Sequence, residues 1–371
     1  MEKNKKFKIA VYAIAKNEEQ FVARWLDSIK DADEIVVLDT GSSDSTVALL
    51  KKHNIKVSEQ IITPWRFDTA RNIALDNVSQ DTDICISMDL DEVMEQGWRE
   101  KLEKAWKKGV TRARYTFACS HDAKGNVLKT HPIEKIHSRF DYRWVHPVHE
   151  VLEYIGKEQE NKILISDLVV HHFPDYSKPR GQYLPLLELS AQENPNEPSI
   201  SFWLGREYYF KGQYDQAINE LNRYLKLKKA KWDEERSAAL RFISRAYLKK
   251  QDIYDAKKYL YQALSQCPYI REPYLDFAKI AYDTKDWPLM FWACAQALKI
   301  THSTGSYLTE EEAWSYSFYD YGAIACYHLG LIDQAVQYAQ KAVELEPNNH
   351  RLQQNLNLIQ QKQNEIQNAQ K

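Results

Sequence analysis

The sequence predicts an α/β domain with a Rossmann-like sheet, followed by an all-α solenoid of helical repeats. Two patterns lead to this prediction. Between residues 8 and 98, apolar runs typical of buried strands alternate with stretches that place apolar residues on one helix face, which is the rhythm of a parallel α/β sheet. In the second half, small residues recur, and Ala263 and Ala297 stand 34 positions apart, the period of one class of paired-helix repeat.

A cluster of prolines separates these two regions. It comprises Pro174, Pro179, Pro185, Pro195 and Pro198, and proline disfavours both helix interiors and central strands. We therefore expect the α/β domain at residues 1–175, a linker containing a helix at 176–198, and the repeat domain at 199–371. A chain of 371 residues is long enough for two domains.

The composition is that of an ordinary globular protein, with 44% hydrophobic and 27% charged residues. A net charge of −2 gives no overall attraction to nucleic acid or to a membrane surface. The five cysteines are scattered without a C-x-x-C pair, which favours reduced thiols. The amino terminus lacks the pattern of a signal peptide, and no apolar run reaches the roughly 18 residues of a membrane span. We expect a cytoplasmic protein without a membrane span.

The elements of the first domain follow from these patterns in order. Each apolar run predicts a strand, at residues 8–15, 33–39, 56–59, 83–88, 111–119, 133–140, 143–150 and 162–172. Stretches with one apolar face predict helices, at residues 20–29, 46–53, 68–76 and 98–108. Gly125 and Asn126 mark a hairpin turn between two of the later strands.

Two aspartates, Asp89 and Asp91, follow the buried strand at 83–88. Because side chains alternate along extended chain, both carboxylates lie on one side. Two such anions repel each other unless a cation lies between them, and a divalent ion with waters and phosphate oxygens is a common solution. From spacing alone, an acidic turn that caps the strand explains the pattern equally well.

Other polar residues come at the same edge of the predicted sheet. Asp39 ends an apolar strand before the glycine turn at Gly41, where a carboxylate can bind a base or ribose. Arg71 lies on a predicted helix, and an arginine at this edge suits a diphosphate. The alternative for Arg71 is a solvated charge on a helix surface.

Four runs in this region together resemble family-2 glycosyltransferases of the GT-A fold. In order, they are AVYAIAKNEEQFVARWLDSI, EIVVLDTGSSDST, FDTARNIAL and ICISMDLDEV. The resemblance implies inverting transfer of a sugar from a nucleotide-sugar donor, preferably a UDP-sugar, with Mn²⁺ or Mg²⁺. It also implies that the donor is bound by Ala15, Lys16, Asn17, Glu18, Asp39, Gly41, Ser42, Arg71, Asp89 and Leu90, and that Asp89 and Asp91 meet the metal.

The run Trp144 to Glu150 carries a V-H-E sequence. It resembles enzymes of this family that carry C-terminal repeats, among them the peptide S-glycosyltransferases that modify bacteriocins and certain lipopolysaccharide-core glucosyltransferases. Inverting transfer needs a base for the acceptor's proton. Glu150 or His149 could serve, and Asp91 and Glu92 stay open as alternatives. By the same resemblance, His172 is a candidate third metal or phosphate ligand, although Phe173-Pro174-Asp175 follows it where other members have glycine or tyrosine.

The remaining histidines point to no further site. His131 and His137 are expected at the surface or in hydrogen bonds, and the H-E-x-x-H spacing of a zinc helix does not occur in the sequence.

The second half resembles tetratricopeptide repeats. Its pattern is carried by residues including Leu204, Gly205, Tyr208, Ala246, Ala256, Ala335, Ala342 and Pro347. Insertions at 228–235 and 301–311 lengthen two intervals, and residues 352–371 predict a capping helix. About four repeats would form a concave surface for an extended peptide, lined by exposed aromatics such as Tyr209, Trp232 or Tyr316. Most aromatics are expected in the repeat core, and the solenoid could instead form a homodimer.

These patterns predict a metal-dependent hexosyltransferase that acts on a Cys, Ser or Thr side chain of a peptide or protein. The first alternative has a cell-envelope glycan of the lipopolysaccharide-core type as acceptor. The second is a non-catalytic repeat scaffold, which the intact set of Asp39, Arg71, Asp89 and Asp91 argues against. A glycosidase needs paired carboxylates separated across a sugar by roughly 5–9 Å, whereas two residues on one strand are oriented for a metal.

Overall fold

A computed structural model describes residues 7–122, 124–175 and 183–369. The chain divides into two compact units, after Ser190. The first unit contains the strands β1 (Ile9–Ala15), β2 (Glu34–Asp39), β3 (Lys56–Glu59), β4 (Ile84–Ser87), β5 (Glu92–Met94), β6 (Arg112–His121), β7 (Val127–Ser138), β8 (Tyr142–Val145), β9 (Val151–Tyr154) and β10 (Lys162–His172). Its helices are α1 (Glu19–Ser28), α2 (Thr46–Lys52), α3 (Phe67–Asp76) and α4 (Trp98–Ala105), and α5 (Tyr183–Glu193) follows.

One eight-stranded sheet organises the first unit, in the order β3-β2-β1-β4-β7-β6-β10-β5. The first four of these strands are mutually parallel, with Ala15 of β1 opposite Asp39 of β2. Their carboxyl ends therefore meet at one edge, where ligands bind in open α/β sheets. β8 and β9 form a separate hairpin.

The core lies on both faces of this sheet because alternate residues of β1 point in opposite directions. Ile9 and Val11 pack into a cluster with Trp25 of α1. Tyr12 packs into the opposite cluster with Trp144 of β8. All five side chains are nearly or fully buried, so the strand that carries the first loop of the site is fixed from both sides.

The second unit is helical. Its helices are α6 (Pro198–Phe210), α7 (Tyr214–Lys226), α8 (Asp233–Lys249), α9 (Ile253–Gln266), α10 (Glu272–Asp283), α11 (Trp287–Ala297), α12 (Ser317–His328), α13 (Ile332–Leu345) and α14 (His350–Ala369). Consecutive helices pack in pairs, and close crossings explain the recurring small residues. A Cβ at Gly205 would lie 2.5 Å from Leu221 Cγ, and one at Gly322 would lie 2.8 Å from Tyr338 Cδ2.

The predicted fold class is confirmed, with one difference. The sheet is mixed, because β7 runs antiparallel between β4 and β6, and β5 runs antiparallel to β10. The structure divides the chain after Ser190, within the predicted linker at 176–198, and residues 176–182 of that linker lie outside the described residues. The predicted capping helix corresponds to α14.

Two predicted elements are shorter than expected. The helix at 98–108 ends at Ala105. The strand at 143–150 ends at Val145, because Pro147 has no amide hydrogen for a ladder. His146 and His149, on either side of it, adopt left-handed backbone with φ of 79° and 51°, which does not occur in a regular strand.

All five cysteines are free thiols, as predicted. Over the ranges that the structure describes, no helix is both long enough and apolar enough to cross a membrane.

Candidate active site

The loops after β1 and β2 are tied to each other at the ligand-binding edge. Asn17 N donates to Ser42 Oγ at 2.8 Å, and Ser43 N donates to Asn17 Oδ1 at 2.7 Å. Asp39 accepts hydrogen bonds from the backbone N–H groups of Gly41 and Ser42, at 3.0 and 2.9 Å, and from the Ser42 hydroxyl. Gly41 has a φ of 105°, a conformation that strongly favours glycine. One set of hydrogen bonds therefore joins four residues that are predicted to bind the nucleotide-sugar, namely Asn17, Asp39, Gly41 and Ser42.

The residues predicted to bind the nucleotide-sugar differ in their exposure to solvent. Lys16, Asn17 and Gly41 are exposed, whereas Ala15 is buried and Asp39 is only 2% exposed. The Asp39 carboxylate holds its own turn together, so a nucleotide base that reached it would compete with the Ser42 hydroxyl. Its predicted contact with a base stays a prediction.

Arg71 of α3 lies at the centre of the candidate site. Its Nη1 and Nη2 donate to the two carboxylate oxygens of Asp89 at 2.8 and 3.1 Å, and its Nε donates to Glu150 Oε1 at 2.6 Å. The Arg71 side chain is only 7% exposed, so it is no solvated helix charge. One guanidinium thus joins the end of β4 to the loop after β8.

The position of Glu150 follows from contacts between α3 and β8. The side chain of Asn72 accepts from Trp144 N at 2.9 Å and donates to Trp144 O at 2.8 Å. Trp144 Nε1 donates to the Tyr12 hydroxyl at 2.8 Å, and the Arg71 guanidinium lies 5.0 Å from the Trp144 ring centroid. These contacts hold the start of the V-H-E run against α3, with Glu150 directed at Arg71.

Lys135 of β7 adds a second cation that the sequence patterns did not single out. Its Nζ donates to Glu92 Oε1 at 2.9 Å and to Asp89 Oδ2 at 3.2 Å. Glu92 is 2% exposed and also accepts from Asp89 N at 3.1 Å. Glu92, the other residue considered as a base, is therefore a buried carboxylate that is already paired with Lys135. Lys135 lies 46 positions from Asp89 in the sequence. A single lysine within a predicted strand gives no indication that it would reach this site.

These charges shift one another's pKa values. Burial opposes ionisation of Asp89, but Arg71 and Lys135 hold its pKa well below the ordinary value. Burial disfavours the charged form of Lys135, yet Asp89 and Glu92 raise its pKa above the ordinary value. For Glu92, burial dominates and raises the pKa despite Lys135. Asp89 is thus held as a carboxylate.

Asp91 and His172 form a separate pair beside this cluster. His172 Nε2 lies 3.2 Å from Asp91 Oδ2, with the two side chains 28% and 23% exposed. Burial lowers the pKa of His172, but the bond to Asp91 raises it above the ordinary value overall. The pair offers one carboxylate oxygen and one imidazole nitrogen, donors that fit Mn²⁺ with waters and phosphate oxygens completing the shell.

Asp89, which the sequence predicts as a metal ligand together with Asp91, directs its oxygens to Arg71 and Lys135. No group of three or more His, Cys, Asp and Glu side chains is arranged to hold a metal ion in the part of the chain that the structure describes. The metal set of Asp89, Asp91 and His172 stays a prediction.

The candidate bases differ in their surroundings. The Glu150 side chain is 13% exposed and contacts Arg71 through Oε1. The His149 ring lies 6.0 Å from the Tyr183 ring. His137 has a different role, since it is fully buried and bonded to the Tyr12 hydroxyl at 2.9 Å. Burial lowers the pKa of His137 to about 3, which makes it a neutral core residue.

Comparison with known families matches both units. Residues 10–149 match the model of glycosyl transferase family 2, and residues 198–231 and 317–349 match the tetratricopeptide repeat. The first match includes the loops after β1 and β2, Arg71, Asp89 and Asp91. Glu150 and His172 lie beyond it.

Among known proteins, the chain is similar to an uncharacterised glycosyltransferase of Rickettsia conorii, with 32% identity over 28% of this chain and 36% of that protein. It is also similar to the lipopolysaccharide core biosynthesis glycosyltransferase LpsC of Rhizobium meliloti, with 32% identity over 26% of this chain and 36% of that protein. A TPR repeat-containing protein of Synechococcus elongatus shares 28% identity over 39% of this chain and 35% of its own length. The chain spans about a third of the length of these relatives.

Proposed function

We propose that this chain, which carries a family-2 glycosyltransferase domain followed by tetratricopeptide repeats, transfers a hexose from a nucleotide-sugar, a UDP-sugar by preference, to a Cys, Ser or Thr side chain of a peptide. The observation that carries the proposal is the bridge formed by Arg71. It brings Asp89, at the strand end where a donor diphosphate would lie, and Glu150, the candidate base, to one guanidinium.

On the donor side, the loops held by Asn17, Asp39 and Ser42 would bind the nucleoside. Asp91 and His172 would hold a divalent cation, Mn²⁺ or Mg²⁺, which supplies positive charge to the leaving diphosphate when bound. Asp89 is kept ionised by Arg71 and Lys135, so it adds negative charge beside that cation and orients the guanidinium.

On the acceptor side, Glu150 is the proposed general base. The acceptor sulfur or oxygen attacks the anomeric carbon from the face opposite the diphosphate, the bond from that carbon to the diphosphate oxygen breaks, and the acceptor's proton passes to Glu150. Arg71 binds Oε1 of Glu150, and Oε2 accepts no hydrogen bond from the residues that the structure describes. Oε2 is therefore the atom proposed to take the proton.

A cell-envelope glycan is the second candidate acceptor. The similarity to LpsC, whose name assigns it to lipopolysaccharide core biosynthesis, favours this candidate. The repeats favour the peptide, because helical repeats present extended binding surfaces.

The donor half is tested by hydrolysis of UDP-sugars with Mn²⁺, with Mg²⁺ and with chelator. We expect Asp91→Asn to lower turnover by more than about 100-fold, since even outer partners of a metal ligand cost about 10–100-fold. Asp76→Asn, an exposed carboxylate on α3, is the matched control. Full turnover in chelator, or in D91N, would rule out the metal role.

The acceptor half is tested with Glu150→Gln and by intact mass. We expect E150Q to lower transfer by about 10²–10⁴-fold while UDP-sugar binding persists. Hexose added to a co-expressed peptide supports the peptide acceptor, whereas transfer only to a glycan extract supports the alternative. A folded protein that neither hydrolyses nor transfers any UDP-sugar would favour the scaffold.

A further inference from the structure

A segment between α11 and α12 covers part of one face of the helical unit. Residues 301–310 form neither helix nor strand. The Tyr307 ring stacks on Trp203 of α6, with centroids 5.5 Å apart, and its hydroxyl donates to Glu235 Oε2 of α8 at 2.9 Å. Glu310 N donates to Glu272 Oε1 of α10 at 3.1 Å. The segment therefore lies across the first helices of three successive pairs.

Two arginines of α8 bind this segment through a carboxylate. Arg241 and Arg245 both contact Glu310, with Arg245 Nη2 at 2.8 Å from Oε2. Both also contact Asp276 of α10, each at 2.8 Å. Two guanidiniums and two carboxylates thus neutralise one another, and this part of the face is complete without a ligand.

Arg206 of α6 lies on the same face and is not matched in this way. Its Nε is buried without a hydrogen-bond partner, and it forms no ion pair with any residue that the structure describes. Aromatic rings surround its guanidinium, at 4.6 Å for Trp203, 5.2 Å for Phe242, 5.5 Å for Phe202 and 5.8 Å for Phe210.

Nearby groups do not compensate for this burial. Tyr307, Glu310, Glu207 and Glu235 act on Arg206 only through longer-range attraction, and burial lowers the pKa of Arg206 below its ordinary value. A buried donor without a partner costs stability, and Arg206 as a whole is only partly buried, so its guanidinium can still be reached by a ligand.

We propose that Arg206, with Trp203 and Phe242 beside it, is a docking subsite for a carboxylate side chain of an acidic peptide segment. Arginine binds carboxylates in a bidentate manner, and the surrounding rings exclude water that would weaken the pair. The subsite assigns a partner chemistry to the helical unit, and it does not depend on the transfer reaction proposed for the α/β unit.

A peptide is favoured over an anionic glycan by the neighbouring contacts. Within the same face, Trp203 already binds the aromatic ring of Tyr307, and Arg245 already binds the carboxylate of Glu310. Both groups belong to an irregular peptide segment. A partner with an acidic side chain next to an aromatic one would use the same kinds of contact at Arg206.

Fluorescence anisotropy on the full chain tests the subsite. The probe is a labelled peptide Tyr-Leu-Thr-Glu-Glu-Glu, the sequence of residues 307–312, and the control probe replaces its three Glu with Gln. We expect saturable binding of the acidic probe to the wild type and at least about tenfold weaker binding to Arg206→Gln, because a charge-assisted contact is lost. Arg206→Lys should retain most of the binding. Lys258→Gln, which neutralises an exposed lysine of α9, should bind the acidic probe as the wild type does.

Thermal unfolding separates docking from a structural role. We expect Arg206→Met to have a Tm at or above the wild-type value, since it removes a donor that is buried without a partner, while losing the probe as R206Q does. Equal binding of the acidic probe to wild type and R206Q, absent binding to the wild type, or equal binding of the Gln probe would overturn the proposal. Stronger displacement of the probe by trigalacturonate than by unlabelled acidic peptide would overturn the peptide assignment in favour of a glycan.

Discussion

The two units contain buried charge networks of similar chemistry and different balance. Around Arg71 and Lys135, three contacting carboxylates outnumber two cations, and a single guanidinium serves both Asp89 and Glu150. Around Arg241 and Arg245, each cation contacts both Asp276 and Glu310.

The unequal charges around Arg71 and Lys135 suit the binding of a ligand, whereas the equal charges around Arg241 and Arg245 suit stability. With all five groups ionised, the unequal network would carry an excess negative charge at the sheet edge, which would attract a cation. The equal network has duplicate contacts, so the loss of one ion leaves another in place.

The largest loss of stability is expected from a substitution of Arg71. Arg71→Met leaves the partly buried Asp89 and Glu150 without their shared partner, and removal of one member of a buried pair costs about 3–5 kcal/mol. Urea unfolding followed by circular dichroism measures this loss. Arg143→Met, which breaks an exposed pair with Asp76, is the control and should cost no more than about 1 kcal/mol. Equal losses in the two variants would show that Arg71 is not essential to the network.

Mild acid is expected to weaken the α/β unit through His137. Its folded-state pKa is about 3, below the value near 6.5 in an unfolded chain. The stabilisation is therefore complete above pH 6.5 and is lost as the pH falls toward 3, by about 1.4 kcal/mol per pH unit. Unfolding free energies of the wild type and His137→Gln, measured between pH 7 and 4, should differ in slope by that amount. Parallel pH profiles would contradict the role of His137 as a buried neutral group.

The smallest effect is expected at Arg245. Arg245→Met leaves Arg241 in contact with both Asp276 and Glu310, so we expect a loss of about 1–3 kcal/mol, smaller than that of R71M. The same urea titration measures it, and Lys258→Gln supplies the baseline for an exposed charge. A loss equal to that of R71M would mean that the duplicate contacts do not compensate.

The sequence predicted those parts of the site that depend on parallel strands. Asp39 and Asp89 follow apolar strands of one parallel set, so their meeting at one edge follows from strand order, and Arg71 contacts Asp89 there. Lys135 was not predicted, because it enters the site on β7, an antiparallel strand inserted between β4 and β6. Local periodicity carries no information about such a pairing.

In the helical unit, too, contacts between residues far apart in the chain could not be predicted from local periodicity. The repeat period predicts paired helices, and the insertion at 301–311 shows in the sequence only as a longer interval between repeats. Its contacts from Tyr307 to Trp203 and from Glu310 to Arg245 join residues that are far apart in the chain. Tyr209, predicted as an exposed groove residue, is partly buried and packs against Phe242 at the side of a core cluster, whereas Trp232 is 41% exposed.

The guanidinium of Arg71 has a thermodynamic consequence for the order of events at the site. Because one guanidinium contacts both Asp89 and Glu150, a ligand that displaces Arg71 from one carboxylate also alters its contact with the other. Linkage of this kind is reciprocal. In the proposed reaction, a diphosphate that draws Arg71 toward itself would also change the contact that positions Glu150, so binding of the donor and the placement of the proposed base would be coupled.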